Sequence, residues 1–398
     1  MRRGWIALVM GAGACARGTS PPAPVMLTKP ITNWHPVMSY LDSVVAAGAA
    51  PGAVLGVTYR GERFVYGTGG LETGDTVRPG DSTVYDLASL TKVVALTPAL
   101  MLAVGDGKVA LDDPVQHYIP AFAGPDKEQV TVRMLLAHAS GLPAWRPLFR
   151  EVTTRAAAFA LADSTPLAAR PGTESVYSDL GAIVLTQLVE TVYGQRIDSL
   201  VEQRLFTPLG LTSLRYLPPP SWRERIAPTE MDPWRGRMLR GEVHDENAAI
   251  MDGVSGHAGL FGSVDDLLTF AEWMLAQASG RSGGQSVGRS GASDRDHRPP
   301  DRPTVRPAVF AEFTQRQLNS DRALGWDMPS EGGSAGHLLS PSSIGHTGFT
   351  GTSLWIDPQH DVAIVLLSNR VHPTRNNPRW APVRAAVSDL VMTTLFED

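Results

Sequence analysis

Ser89 stands three residues before Lys92, at the head of an apolar run with helical spacing. Positions i and i+3 share a helix face, which puts the lysine amine beside the serine hydroxyl. A serine hydroxyl is a poor nucleophile until a neighbour takes its proton. In a helix's first turn it also gains unpaired backbone N–H groups and the positive end of the helix dipole, both suited to holding an oxyanion. The chain uses lysine sparingly: Lys29, Lys92, Lys108 and Lys127 are all it has, and only Lys92 follows a serine at this spacing. Lysine loses its proton when desolvated and arginine effectively does not. On its own the pair carries two readings, an acyl-transfer site and a helix cap with a solvated lysine.

The elements around the pair follow from periodicity. Residues 33–47 have helical spacing, and 53–59 with 63–67 read as a hairpin. A helix is expected over 89–104, kinked at Pro98. Beyond it helical segments dominate: 132–137 behind the capping Thr131, 153–162, 180–193 and 200–205. Residues 280–307 are crowded with Gly, Ser, Arg, Asp and Pro, which predicts a flexible surface excursion. Residues 352–356 and 362–368 form a second hairpin, followed by a helix over 381–395. Strands at both ends with helices between predict one α+β domain over 33–398, an α/β arrangement in which a sheet carries a large, mostly helical insertion.

Two further motifs follow in order: Tyr177-Ser178-Asp179 before a helix, and Gly345-His346-Thr347-Gly348 before the last hairpin. With Ser89-x-x-Lys92, this set resembles the serine β-lactamase and penicillin-binding superfamily, in the branch of class C β-lactamases, DD-carboxypeptidases and related esterases. Leu111 to Val115, Leu135 to Leu142, Gly256 to Phe261 and Leu366 to Arg370 look like the same branch. The resemblance implies a β-lactamase-like fold, an antiparallel sheet flanked by helices. It implies Ser89 as nucleophile, Lys92 as proton acceptor or electrostatic partner, and Tyr177 as the base that later protonates the leaving group. It also implies an oxyanion hole from the backbone N–H groups of Ser89 and Phe349, with Asp179, His346, Thr347 and Gly348 lining the substrate. Lys92 as an ammonium is expected to lower the pKa of Tyr177, ordinarily about 10.

Two positions depart from the branch. Asp179 stands where asparagine is usual, replacing an amide donor by an acceptor that is free to pair with Lys92. His346 replaces the lysine of β-lactamases, exchanging a fixed charge for an imidazole that is expected to be neutral near pH 7 and to offer a carboxylate one hydrogen bond but no full charge. The stretch His244-Asp245-Glu246 with His257 is read as site wall rather than metal ligands, because neighbours in an extended segment point to opposite sides. His138 is read as a residue that fixes its loop. No metal or cofactor is implied.

With 398 residues, 43% of them hydrophobic, and a net charge of -5, the chain has material for a large core and no basic excess for nucleic acid. Its start, Met1-Arg2-Arg3 and then an apolar stretch to Ala14, reads as a signal peptide over 1–15 with a linker over 16–32. The sole cysteine, Cys15, is expected to be the lipidated first residue of an exported periplasmic or cell-envelope lipoprotein and so to tie it to a membrane; cleavage at Ala12-Gly13-Ala14 is the other reading. The expected substrate is a small molecule or a peptidoglycan-derived peptide. The expected activity is that of a D-Ala-D-Ala carboxypeptidase or another peptidase acting on D-residues, ahead of a carboxylesterase and a weak β-lactamase. A receptor that is acylated without turnover is the reading outside enzymes.

Overall fold

The computed structural model describes residues 33–280, 303–318 and 320–396. The expected leader, Cys15 and the linker lie outside them. Among the described residues a five-stranded antiparallel sheet runs in the order β2-β1-β5-β4-β3, where β1 is Gly52–Tyr59, β2 Glu62–Gly69, β3 Ile344–Thr347, β4 Ser353–Asp357 and β5 Val362–Ser368. The two ends of the chain meet at its centre, with Val54 opposite Leu367 and Leu55 opposite Leu366.

The central strands are apolar at nearly every position because both faces are covered. Successive side chains leave a strand on opposite sides. Leu55, Val57, Ile364 and Leu366 pack with Val37 and Leu41 of α1 (His35–Ala46) and with Val383 and Val387 of the C-terminal helix Ala381–Phe396. Val54, Ala363, Val365 and Leu367 join the larger core on the other face, with Val264, Leu267 and Leu268 of the helix Val264–Ala278 and the helical region that follows Ser89. The predicted architecture, a sheet flanked by helices with a helical insertion, is the one observed.

Two expectations need refinement. Just before Pro98 the expected helix carries a widened turn: Lys92–Leu96 is π-helical, Thr97 N–H donates to Lys92 O five residues back, and α2 continues over Thr97–Gly105. Proline has no N–H for the ordinary bond and its ring crowds the preceding turn, so an inserted π-turn relieves both. The same device precedes Pro208, in Glu202–Phe206. Second, the predicted excursion is shorter than 280–307 at its far end. Pro303 O accepts the Trp273 Nε1–H at 2.9 Å, Val305 is buried with its N–H on Gln277 Oε1, and a helix starts at Pro307. A buried valine and two side-chain bonds hold a segment that composition alone reads as loose. Residues 281–302 lie outside the described part.

A second, three-stranded sheet was not legible. Tyr85–Asp86 and Arg215–Tyr216 flank Leu260–Gly262. Strands this short carry almost no periodic signal. They nevertheless deliver the chain to Ser89.

Candidate active site

Asp86 ends its short strand buried, and its carboxylate holds the turn that follows. Oδ1 accepts from Ala88 N–H at 2.8 Å and Oδ2 from His244 N–H at 2.6 Å. Burial pushes its pKa upward, against these two bonds. Ala88 is thereby kept at φ +47°, a left-handed conformation that a non-glycine residue rarely adopts and that recurs at functional sites. The chain then turns into the helix, with Lys92 N–H on Ser89 O at 3.0 Å. Thr91 ties this first turn down, donating to Ala88 O at 2.6 Å and accepting from Leu260 N–H at 3.1 Å.

Ser89 Oγ receives two donors: Lys92 Nζ at 3.1 Å and the Tyr177 hydroxyl at 2.8 Å. Lys92 is 3% exposed, and its ammonium also donates to His257 O at 2.9 Å and pairs with Asp179 Oδ1 at 2.7 Å. Burial alone would lower its pKa, but Asp179 and Tyr177 together raise it above the ordinary lysine value. Tyr177 is pushed up to about 12, first by burial and then by the Asp179 carboxylate, which outweigh the opposite pull of Lys92. Lys92 acts in the expected direction, but burial and Asp179, neither weighed in the sequence-based expectation, decide the net shift. The Asp179–Lys92 pairing foreseen from the sequence is present.

The Tyr177 segment is shaped by the loop 138–144. His138 is buried at φ +56°, its O accepts Val176 N–H at 2.8 Å, and its Nδ1 accepts Ser178 N–H at 3.0 Å. Burial, then Arg322 and Lys92, hold it well below the ordinary histidine range, consistent with a neutral ring that anchors a loop. Ser178 caps the helix α3 (Asp179–Tyr193), accepting from Gly181 N–H and donating to Pro143 O at 2.7 Å. Asp179 N–H donates to Ala144 O at 2.9 Å.

β3 brings the third motif to the same place. A Cβ on Gly348 would lie 2.0 Å from Thr352 Oγ1 and 2.5 Å from Leu87 O, so only glycine lets this strand end press against the turn before Ser89. Thr350 Oγ1 and Thr352 Oγ1 then donate to Asp86 O and Leu87 O at 2.7 and 3.1 Å. Neither Ser89 N–H nor Phe349 N–H donates to another backbone group among the described residues.

His346 is 3% exposed, its ring 5.7 Å from that of Tyr177. It donates from Nδ1 to Thr347 O at 2.7 Å, and its buried Nε2 has no partner. Burial lowers its pKa, helped by Lys92 and Arg322 and opposed by Asp327. The shift favours the neutral imidazole that was expected, while the bond to Thr347 O occupies its Nδ1–H. A neutral ring whose Nδ1–H is committed presents Nε2 as an acceptor. Arg322, not singled out from the sequence, lies 5.4 Å over the Tyr177 ring and pairs with Asp327.

His244 and Asp245 turn to different partners, as adjacent residues of an extended segment do. His244 Nε2 meets Glu230 Oε2 at 2.8 Å and its ring stacks on Phe349 at 5.6 Å. Asp245 meets His257 Nε2 at 2.9 Å and caps a short helix through Ala248 N–H, while His257 Nδ1 meets Ser255 Oγ at 2.7 Å. His257 thus fixes the carbonyl that holds Lys92.

A serine hydroxyl flanked by an amine and a phenol, at the head of a helical run packed on a sheet, is the arrangement of a serine hydrolase. The chain belongs to the beta-lactamase family, whose model matches residues 39–389. An Escherichia coli (strain K12) protein named "Putative D-alanyl-D-alanine carboxypeptidase" is 33% identical over 337 residues, spanning 77% of this chain and 73% of that one. A penicillin-binding protein homolog from Caulobacter crescentus superposes with a TM-score of 0.70 over 92% of this chain and 99% of its own, at 19% identity. A class C beta lactamase from Rhodobacter sphaeroides gives 0.66 over 90% and 99%, at 24% identity.

Proposed function

We propose that the protein is an exported hydrolase of D-alanyl-D-alanine type, cleaving an amide or ester next to a D-residue through an acyl-enzyme on Ser89. The observation that carries this is Ser89 Oγ set between Lys92 Nζ and the Tyr177 hydroxyl. The name of the Escherichia coli relative supports the substrate class.

In this reading Ser89 Oγ bonds to the carbonyl carbon while its proton passes to the Lys92–Tyr177 pair. The resulting oxyanion lies against the Ser89 and Phe349 N–H groups. Collapse breaks the bond to the leaving amine or alcohol, which takes a proton from Tyr177, and acyl-Ser89 remains. Water repeats the sequence and frees the acid. Because Lys92 and Tyr177 both hold their protons tightly, the reactive form carries one proton fewer over the pair and grows as pH rises. Export, with Cys15 as lipid anchor, belongs to the same reading and rests on the basic and apolar residues before Cys15.

A carboxylesterase is the second reading, favoured by His346, which offers an acceptor where a carboxylate wants a donor. A panel of D-Ala-D-Ala peptides, chromogenic esters and a cephalosporin, run on wild type and Ser89→Ala, tests both. Wild-type turnover of the peptides above the neutral esters supports the first reading, and turnover of esters alone supports the second. Acyl labelling of wild type without turnover would make the protein a receptor. Ser89→Ala should lose activity on the order of a million-fold and lose the intact-mass shift of the acyl adduct. Retained labelling would overturn the nucleophile.

A further inference from the structure

Arg384 stands on the C-terminal helix, half-buried, and its Nε is buried with no hydrogen-bond partner. Burial and the neighbouring Arg370 lower its pKa to about 10, and no carboxylate opposes them. It is still a cation near neutral pH. A charge drawn this far from water without a carboxylate is costly unless it serves another negative group.

Its contact is a carbonyl: Nη2 donates to Gly348 O at 2.7 Å. Gly351 N–H is the other donor to that oxygen, at 3.1 Å. Gly348 O and Phe349 N–H are the two ends of one peptide group, and in a trans peptide they point in opposite directions. With the oxygen drawn to the C-terminal helix, the N–H leaves on the opposite side. The same turn lies against the chain just before Ser89: a Cβ on Gly348 would be 3.4 Å from Ala88 Cβ, and Thr350 Oγ1 donates to Asp86 O at 2.7 Å. Arg370 Nε donates to the next carbonyl, Phe349 O, at 2.9 Å, so a guanidinium holds the peptide on each side of Phe349.

The Arg384 bond does two things. It fixes the peptide, because glycine leaves rotation about its own backbone bonds cheap and a half-turn here would put a carbonyl oxygen where the oxyanion must form. It also polarises the peptide. A positive charge at the carbonyl oxygen draws the C–N resonance toward the form with a positive nitrogen, which makes the N–H a stronger donor.

We infer that Arg384 is a positioning residue for the oxyanion hole, holding and polarising the Gly348–Phe349 peptide from its carbonyl side so that Phe349 N–H is aimed and strengthened for the negative oxygen of acyl transfer. This rests on the acyl-enzyme reading of Ser89 and adds the group that acts behind one of its two oxyanion donors.

The test compares wild type with Arg384→Gln, Arg384→Met and Arg384→Lys, all checked by melting temperature. Single-turnover acylation is followed with a neutral p-nitrophenyl ester and with a D-Ala-terminated peptide, and inhibition with phenylboronic acid, whose tetrahedral adduct on serine carries a negatively charged oxygen. The two neutral variants are expected to acylate about ten-fold more slowly, by the same factor on both substrates, with KM for the ester held and boronic acid affinity falling by that factor; deleting a donor outright costs about 100- to 1,000-fold. Arg384→Lys, which brings a charge back to the same carbonyl, is expected to recover most of the rate. Unchanged rates in the neutral variants overturn the inference, and so does a loss confined to the peptide, which makes Arg384 a reader of the substrate's own carboxylate. A slower acylation with boronic acid affinity intact, or a lysine variant as slow as the neutral ones, also overturns it, since either assigns the effect to the packing of the C-terminal helix. Each of these leaves Ser89 as nucleophile. Turnover that survives Ser89→Ala fails the underlying reading instead.

Discussion

Asp179 Oδ1 sits 2.7 Å from Lys92 Nζ, so the carboxylate that replaces the usual asparagine is in direct contact with the amine beside the nucleophile. One substitution thereby sets the protonation of two groups. Its charge raises the pKa of Lys92, and it adds to burial in raising that of Tyr177.

Asp179→Asn removes that charge and should lower both values. The alkaline rise of the acylation rate is then expected to move toward neutral pH, with the rate at pH 7 gaining about ten-fold for each unit of movement. A pH profile of single-turnover acylation decides it. A slower enzyme with an unmoved profile would mean that Asp179 serves binding rather than proton affinity.

Tyr177→Phe keeps the ring beside His138 and His346 and deletes the oxygen 2.8 Å from Ser89 Oγ. Acylation should slow by about 100- to 10,000-fold, as for a lost general base, with the melting temperature held. An unchanged rate would leave Tyr177 a packing residue only.

Since burial holds His346 below the ordinary histidine range, the ratio of kcat/KM on a D-Ala-terminated peptide to that on a neutral ester should stay flat between about pH 6.5 and 8. His346→Lys converts the acceptor Nε2 position into a donor and should raise that ratio about ten- to a hundred-fold, the size of a hydrogen bond to a charge. A ratio that climbs steadily as pH falls from 8 would show that His346 titrates there after all.

Glu230 links the wall behind Phe349, meeting His244 at 2.8 Å and Arg375 at 2.7 Å. Burial works to raise its pKa, but His244 and Arg375 win and hold it down at about 2. A carboxylate depressed from about 4.5 stabilises the fold above that pH, and the contribution fades as pH falls toward 2. Glu230→Gln should therefore flatten the fall of stability through this window, on the order of a few kcal/mol in urea unfolding. Parallel curves for mutant and wild type would remove Glu230 from the acid response.

The sequence by itself determined the long elements and singled out the residues of the candidate site. A strand buried on both faces and an amphipathic helix each leave a periodic trace over many residues, which is why β1, β5 and α3 were legible within a residue or two. Ser89, Lys92 and Tyr177 were legible because their types and order are tied to one chemistry. Only the tertiary structure decided what surrounds them. The two-residue strand that holds Asp86 pairs with Leu260–Gly262, and Gly348 is crowded against Leu87 O, contacts between parts of the chain far apart in sequence. The sign of the Tyr177 shift depends on whether burial and Asp179 outweigh Lys92, a balance of distances and desolvation that no local pattern carries. His346 is the clearest case: its residue type announced a neutral ring with a hydrogen bond to offer, and its burial and its bond to Thr347 O decide that Nε2, an acceptor, is the atom left over.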